Sequence, residues 1–516
     1  MWSSSDRAAS PGGAAGGVPA RHRLHEFTKG TSVTTTATKR AEVGAGLGAR
    51  YALLLISLIW PAQVLSIIGL LGGNAQAQIA IHFQTTQIAW FSLSSAMVGT
   101  FVAPFVFKLA DIYGKRRMMI IVTILGLVGD LISAVAPSYA VLLLGKGISG
   151  FYMPMAGLVF ALARDVFPPK VVGPASGLIS GAVGLVALGG PFLSGWLLDG
   201  FGFRGVLWFL VIATAVSLVM LVAFVPESPV RNSSTSFDWL GGLLLGAGLT
   251  AIVYGVGKGP EWGWTEPKTL AFVFGGILAV LAFLVTERMV DEPMFQLSLL
   301  GRREVWSVFV ATALLAGTVF TAGTVTQMLA LMPPIPTISD GLGYSATKLA
   351  VIGAPASVLI ILTAVVTGIL ARRTDTRILL AFGAVFAAAG YALIAHYHHS
   401  PKQLAVVGVV AAIGTGIAAA LGPVMIIEAV RPHEQALANG MQGMMQGIVT
   451  TVVTQVLFVV MARGGVVMQG TQFYRESGFV HAYYVVVGLA VVSLLAVALI
   501  PRIRHLDEAE VGQAAL

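Results

Sequence analysis

The chain has 516 residues, of which 56% are hydrophobic and only 10% charged, with a mean hydropathy of +0.85. A soluble domain carries roughly a quarter of its residues as charges, so the solvent for most of this chain is lipid. Cysteine is absent, which excludes disulfides, thiolate metal sites and cysteine nucleophiles, and the net charge of +8 collects in alternate loops, a topology signal rather than a nucleic-acid footprint.

Residues 1–48 are rich in Ala, Gly, Ser, Thr and Arg, lack apolar periodicity, and predict a disordered cytoplasmic tail. The first apolar run begins near Tyr51, too late and too long for a signal peptide. Apolar runs then predict about fourteen membrane spans. Six lie near Tyr51–Leu71, Ile88–Lys108, Met118–Ala136, Tyr139–Ala163, Val172–Leu198 and Arg204–Val225. Two follow at Trp239–Val256 and Thr269–Thr286. The last six lie near Val305–Met332, Thr347–Ala371, Arg377–His396, Gln403–Ile427, Ala436–Met461 and His481–Ile500.

Cations crowd one set of loops, with roughly three times as many as the about seven in the other set, so the basic loops and both termini are expected in the cytoplasm. The predicted architecture is an all-α integral membrane protein with a six-helix bundle over 49–226, a linker with an inserted helix pair over 227–304, a second bundle over 305–501, and a tail over 502–516. A split of six, two and six suggests duplication with an insertion. Leu370-Ala371-Arg372-Arg373 repeats the position of Leu109 to Arg116 in degenerate form.

The loop after the second span reads Leu109-Ala110-Asp111-Ile112-Tyr113-Gly114-Lys115-Arg116-Arg117. An acid, a glycine and three cations at a helix end can form charge pairs that hold one arrangement of two halves and release the other. Asp111, Gly114, Lys115 and Arg116 are therefore candidate gating residues. The same residues resemble the signature loop of the major facilitator superfamily, with Phe107 and Ile112 departing from it. Gly177, Gly190, Pro191 and Gly195 in the fifth span are similar to that superfamily's antiporter signature, although Val186 and Ser194 replace two of its glycines. Phe201 to Phe209 and Asp165-Val166-Phe167-Pro168-Pro169 resemble the drug:proton antiporter branch, and about fourteen spans match its fourteen-span family.

Two charges lie at membrane depth. Asp130 in the third span and Lys146 in the fourth both fall roughly 9–11 Å inside their boundary, and intramembrane charges nearly always pair or line a wet cavity. We expect an Asp130–Lys146 pair, either a proton-coupling element or a structural clasp. The resemblance implies coupling at Lys146, which stands where the family has Arg. No acid stands where the family's first span usually carries one, which leaves neutral, zwitterionic or anionic substrates open. Trp60-Pro61 could unwind that span locally.

Uncharged groups fill the list of substrate-binding candidates: Gln63, Gln327, Met328, Gln442 and Gln446, since amides with Met suit an adaptable pocket. Helix-packing glue is the bland reading for each amide. His396, His398 and His399 cluster in an outer loop, and with no acid or Cys nearby in sequence no metal site is expected. No catalytic cluster and no nucleotide-binding glycine loop is present, so neither an enzyme nor direct ATP coupling is expected.

The expected function is a proton-coupled exporter of small amphipathic molecules such as drugs or antibiotics, working by alternating access. It would use no cofactor beyond a proton gradient, and would act as a monomer in the cell membrane. A dedicated metabolite exporter or an uptake carrier is the rival, with a non-transporting sensor behind them.

Overall fold

The computed structural model describes residues 34–229, 239–290, 297–371, 373–430 and 435–501. Contacts divide the chain into Met1–Arg50 and Tyr51–Leu516, and everything below concerns the second unit. The expected tail over 1–48 lies outside the described residues as far as residue 33, as do Arg372 and the 502–516 tail.

The first half comprises α1 (Thr34–His82), α2 (Trp90–Tyr113), α3 (Lys115–Val135), α4 (Tyr139–Ser149), α5 (Met155–Val166), α6 (Pro169–Gly181) and α7 (Val183–Phe224). A pair follows, α8 (Trp239–Trp262) and α9 (Pro267–Thr286), then the short α10 (Leu297–Leu300). The second half comprises α11 (Arg303–Leu331), α12 (Ala346–Leu370), α13 (Thr376–His396), α14 (Pro401–Ala429), α15 (Gln435–Ala462) and α16 (Glu476–Val497). Two small antiparallel hairpins interrupt it: β1 (Pro334–Ile335) with β2 (Ser339–Asp340), and β3 (Val466–Met468) with β4 (Thr471–Phe473).

Among the described residues, twelve helical segments are long and apolar enough to cross a membrane, or 13 with α2, which bends by 46° between Ala103 and Phe105. One segment, Ala175–Phe224, has 50 residues, about 75 Å of helix against a hydrocarbon core of about 30 Å. Gly202 breaks it with φ +66° and ψ −171°. It therefore crosses twice, and the described residues make fourteen crossings, as the apolar runs predict. The fourth crossing is α4 and α5 joined through a 3₁₀ turn at Gly150–Tyr152.

Two sequence expectations about α1 fail. The helix runs on to His82, past Leu71, because the polar residues that seemed to end it find partners inside: Asn74 Nδ2 donates to Ser194 Oγ at 2.9 Å and Gln76 Nε2 to Ser92 Oγ at 2.6 Å. Nor does Pro61 unwind the helix, which is continuous through it.

Alternation of crossings gathers Lys108, Lys115–Arg117, Arg164, Arg288, Arg303 and Arg373 at one end, here the basic end, and both hairpins at the other, the hairpin end. The core is divided along this axis. A continuous apolar core joins the whole second half to the hairpin-end part of the first, from Leu71 and Phe91 through Leu207 to Met328 and Tyr483. The basic-end part of the first half has its own core around Leu58, Met119, Leu158 and Leu162. The α8–α9 pair packs on α2 and α15, one helix from each half.

Candidate functional site

At the basic end, the signature loop is held by acids from distant helices. Gly114 joins α2 to α3 with φ +113°, a conformation that side chains rarely adopt. The freed space is filled by the Glu227 carboxylate, whose atoms lie within 2.9 Å of where a Cβ would stand. Glu227 Oε1 accepts from the Arg116 N–H at 2.9 Å and Oε2 from the Arg117 N–H at 3.3 Å. A carboxylate thus caps the N-terminus of α3, where the helix dipole favours an anion. Lys115 is buried and donates to Asp165 Oδ2 at 2.7 Å, while its approach to Asp111 is 3.5 Å. Ser228 Oγ donates to the same Asp165 oxygen at 2.6 Å. Arg116 reaches the carbonyls of Leu221 and Val222 at the end of α7.

Of the four candidate gating residues, Gly114, Lys115 and Arg116 are built into this clamp. Asp111 stays at its edge with half of its side chain exposed. Asp165 and Glu227 do the holding, and neither was marked as a gating residue. Their signal was a lone acid directly after a span, which in sequence alone looks like topology.

In the membrane interior, Asp130 is 2% exposed and uses both oxygens on hydroxyls: Ser149 Oγ donates to Oδ1 at 2.7 Å and Thr214 Oγ1 to Oδ2 at 2.8 Å. Lys146 is equally buried but sits 5.3 Å from the centre of the Phe91 ring. The expected direct Asp130–Lys146 ion pair is therefore not made. The register between α3 and α4 explains why. Gly145 abuts Ser133 and Gly129 abuts the backbone of Ser149, too closely for any side chain. This alignment sets Asp130 level with Ile148, so the hydroxyl of Ser149 reaches the carboxylate and Lys146 passes beyond it, still within electrostatic reach.

The span-five glycines have unequal surroundings. Gly177 has nothing within 4 Å of a notional Cβ, and Gly190 meets the Leu70 side chain at 3.2 Å. Pro191 lies inside the first leg of α7, before the break at Gly202. At Gly195 a Cβ would lie 2.7 Å from Thr347 Cα in the second half. One turn on, Asp199 accepts the backbone N–H groups of Ala346 at 3.0 Å and Thr347 at 2.9 Å, capping α12 across the molecule. Ser345 caps the next donor, Lys348, at 3.2 Å. Thr471 Oγ1 also donates to the Ala80 carbonyl at 3.3 Å. Both of these links between the halves lie at the hairpin end.

The substrate candidates have separate partners among the described residues. Gln63 Nε2 donates to the Ile179 carbonyl at 2.8 Å. Gln327 approaches Gly73, with its Oε1 2.6 Å from a notional Cβ. Met328 is 1% exposed and belongs to the apolar core, a packing position. Gln442 and Gln446 bond to each other at 3.4 Å, near Gly422. A polar feature of α1 was not foreseen: the side-chain oxygens of Gln63, Asn74 and Gln76 are buried and receive no hydrogen bond from the described residues. At the hairpin end, Arg204 donates to the carbonyls of Ala134 and Ala136 and so caps α3 at its C-terminus.

Twelve crossings in two halves of six, a helix pair inserted between them, and polar clamps at the two ends of a buried charged layer define a polytopic membrane carrier. The Major Facilitator Superfamily family model matches residues 45–332 and 315–515, and the chain belongs to that superfamily, a family of transporters rather than enzymes. Among curated relatives, the multidrug resistance protein Stp of Mycobacterium tuberculosis (strain CDC 1551 / Oshkosh) is 28% identical over 358 residues, 69% of this chain and 65% of that protein. The tetracenomycin C resistance and export protein of Streptomyces glaucescens is 25% identical over 302 residues, 56% and 54% respectively. The chain thus spans between about half and two thirds of the length of these relatives. A crystal structure of the peptide transporter POT in complex with sulfate superposes with a TM-score of 0.61 at 16% identity, covering 87% of this chain and 94% of that one. At that identity the likeness shows the fold alone.

Proposed function

We propose that the protein is a proton-coupled exporter of small amphipathic molecules, drugs or antibiotics among them, working by alternating access. It would sit in the cell membrane with both termini in the cytoplasm, act as a monomer and draw its energy from a proton gradient. On this reading the basic end is cytoplasmic and the hairpin end is outer. The observation that carries it is Asp130, a carboxylate buried in the membrane interior with two hydroxyl partners among the described residues, near a buried Lys146. A buried carboxylate at membrane depth is costly and is a functional-site hypothesis by default. The division of the core supports alternating access, because the halves are fused at the hairpin end while the first half keeps a separate core at the basic end. On this reading Asp199 and Gly195 close the outside. Substrate would meet the unpartnered amide oxygens of α1. The names of the drug-resistance and antibiotic-export relatives support export as the direction, and the single-compound relative keeps dedicated export as the second reading.

The test uses everted vesicles with an imposed proton gradient, a pH-sensitive dye and a chemically mixed substrate panel, with Asp130→Asn beside the wild type at matched expression. Substrate-dependent proton release that the substitution abolishes is the expected result. Exchange in the variant as fast and as proton-dependent as in the wild type would remove Asp130 from the coupling mechanism.

A further inference from the structure

The end of α13 and the loop that leads to α14 carry three imidazoles, and by sequence they have no acid for company. Folding changes this. Glu476, the first residue of α16, comes to lie with Oε1 3.7 Å from His398 Nε2 and 3.6 Å from His399 Nε2. His396 leaves the group, pairing through Nε2 with the Tyr484 hydroxyl at 2.7 Å.

We infer that His398, His399 and Glu476 form a binding site for a divalent transition-metal ion of the zinc class at the hairpin end. Their ligand atoms all fall within 4.8 Å of one another. Tetrahedral zinc with bonds of about 2.0–2.1 Å holds its ligand atoms about 3.4 Å apart, so the group is slightly expanded from a metal-bound one. The parts that must move are free to do so, since the side chains of His399 and Glu476 are 57% and 50% exposed. The third ligand is a fixed anchor. His398 is buried, and its Nδ1 is bonded to the Ile394 carbonyl at 2.8 Å, which directs Nε2 and its lone pair toward the other two. That is the second-shell arrangement by which proteins orient a metal-binding imidazole.

Glu476 is positioned in turn, because its backbone N–H donates to Asp340 Oδ2 at 2.9 Å. The three ligands open into a cavity of about 580 Å³ walled by Pro336, Ser339 and Asp340, with room for a water at the fourth position. Two nitrogens and one oxygen select zinc-like ions over calcium and magnesium, which take oxygen ligands. With no cysteine in the chain, no thiolate competes.

The experiment uses the full chain purified in detergent, stripped with chelator and freed of any affinity tag. Zinc is titrated against a fluorescent zinc competitor, and melting is followed with and without the ion. The expected result is a saturable site with a stoichiometry of one and a zinc-dependent rise in Tm of at least about 3 °C, neither reproduced by calcium or magnesium. Affinity should fall at least about tenfold in His399→Ala and in Glu476→Gln. Both alter exposed side chains, and their metal-free Tm and elution should match the wild type. His481→Ala, an exposed histidine outside the cluster, should bind as the wild type does. X-ray absorption at the zinc edge of the wild type should show imidazole scattering, a readout independent of any variant. Absence of saturable binding, wild-type affinity in both His399→Ala and Glu476→Gln, or a zinc spectrum without imidazole would overturn the assignment.

Discussion

Asp199 accepts the backbone N–H of Thr347 at 2.9 Å, so a side chain of the first half caps a helix of the second. Removing a capping acid costs about 1 kcal/mol, and on the proposed alternating-access reading the loss falls on only one arrangement of the halves. Asp199→Ala should therefore shift the population about fivefold toward a state open at the hairpin end. Spin labels on cysteines introduced at exposed Thr86 and Val467 would read the shift as a gain in the longer distance. An unchanged distance distribution would mean that the cap does not hold the halves.

Gly195 and Gly177 belong to one sequence signature but should respond oppositely. A methyl at Gly195 collides with the Thr347 backbone, whereas one at Gly177 meets nothing. Gly195→Ala is expected to lengthen the same spin-label distance and to lower Tm, with a cost of about 1–3 kcal/mol for overpacking. Gly177→Ala should leave the distance unchanged and raise Tm, because Ala is favoured over Gly inside a helix by up to about 1 kcal/mol.

The basic-end clamp makes a prediction against the usual weight given to the loop's own acid. Asp165→Asn leaves Lys115 buried beside a neutral amide, and breaking such a pair costs about 3 kcal/mol or more. Asp111→Asn touches a half-exposed side chain at 3.5 Å and should cost less than about 1 kcal/mol. Melting of the purified proteins in detergent separates the two, and equal losses would show that the clamp is not centred on Asp165.

Gly114 and Glu227 should couple. Gly114→Ala combines strain at φ +113° with a clash against the carboxylate, together about 2 kcal/mol. In a Glu227→Ala background the clash is gone and only the strain remains. The double variant should accordingly lose less stability than the two single losses added together, a non-additivity that a double-mutant cycle measures.

The spans and the basic end could be read from sequence because hydropathy and charge are local properties that the bilayer enforces directly. Partnerships between helices could not. Asp130 and Lys146 were correctly placed at similar depth, yet the contact turns on a register set by Gly129 and Gly145, which shifts it to Ser149. Asp165, Glu227 and Asp199 carried no motif that announced partners 50, 111 and 147 residues away. Glu476 was invisible to the histidine loop for the same reason. At α1 the expected span near Tyr51–Leu71 is shorter than the helix, which runs on because Asn74 and Gln76 find partners on α7 and α2.

The division of the apolar core gives the molecule a long arm and a short one. Where the halves share one core, relative displacement is opposed by close packing. At the far end it is not. A tilt of roughly 10° about the fused end, carried across about 30 Å of membrane, becomes about 5 Å of travel at the clamp of Lys115 and Asp165. On the proposed alternating-access reading, small rearrangements around Gly195 would in this way be geared up into a wider mouth at the basic end.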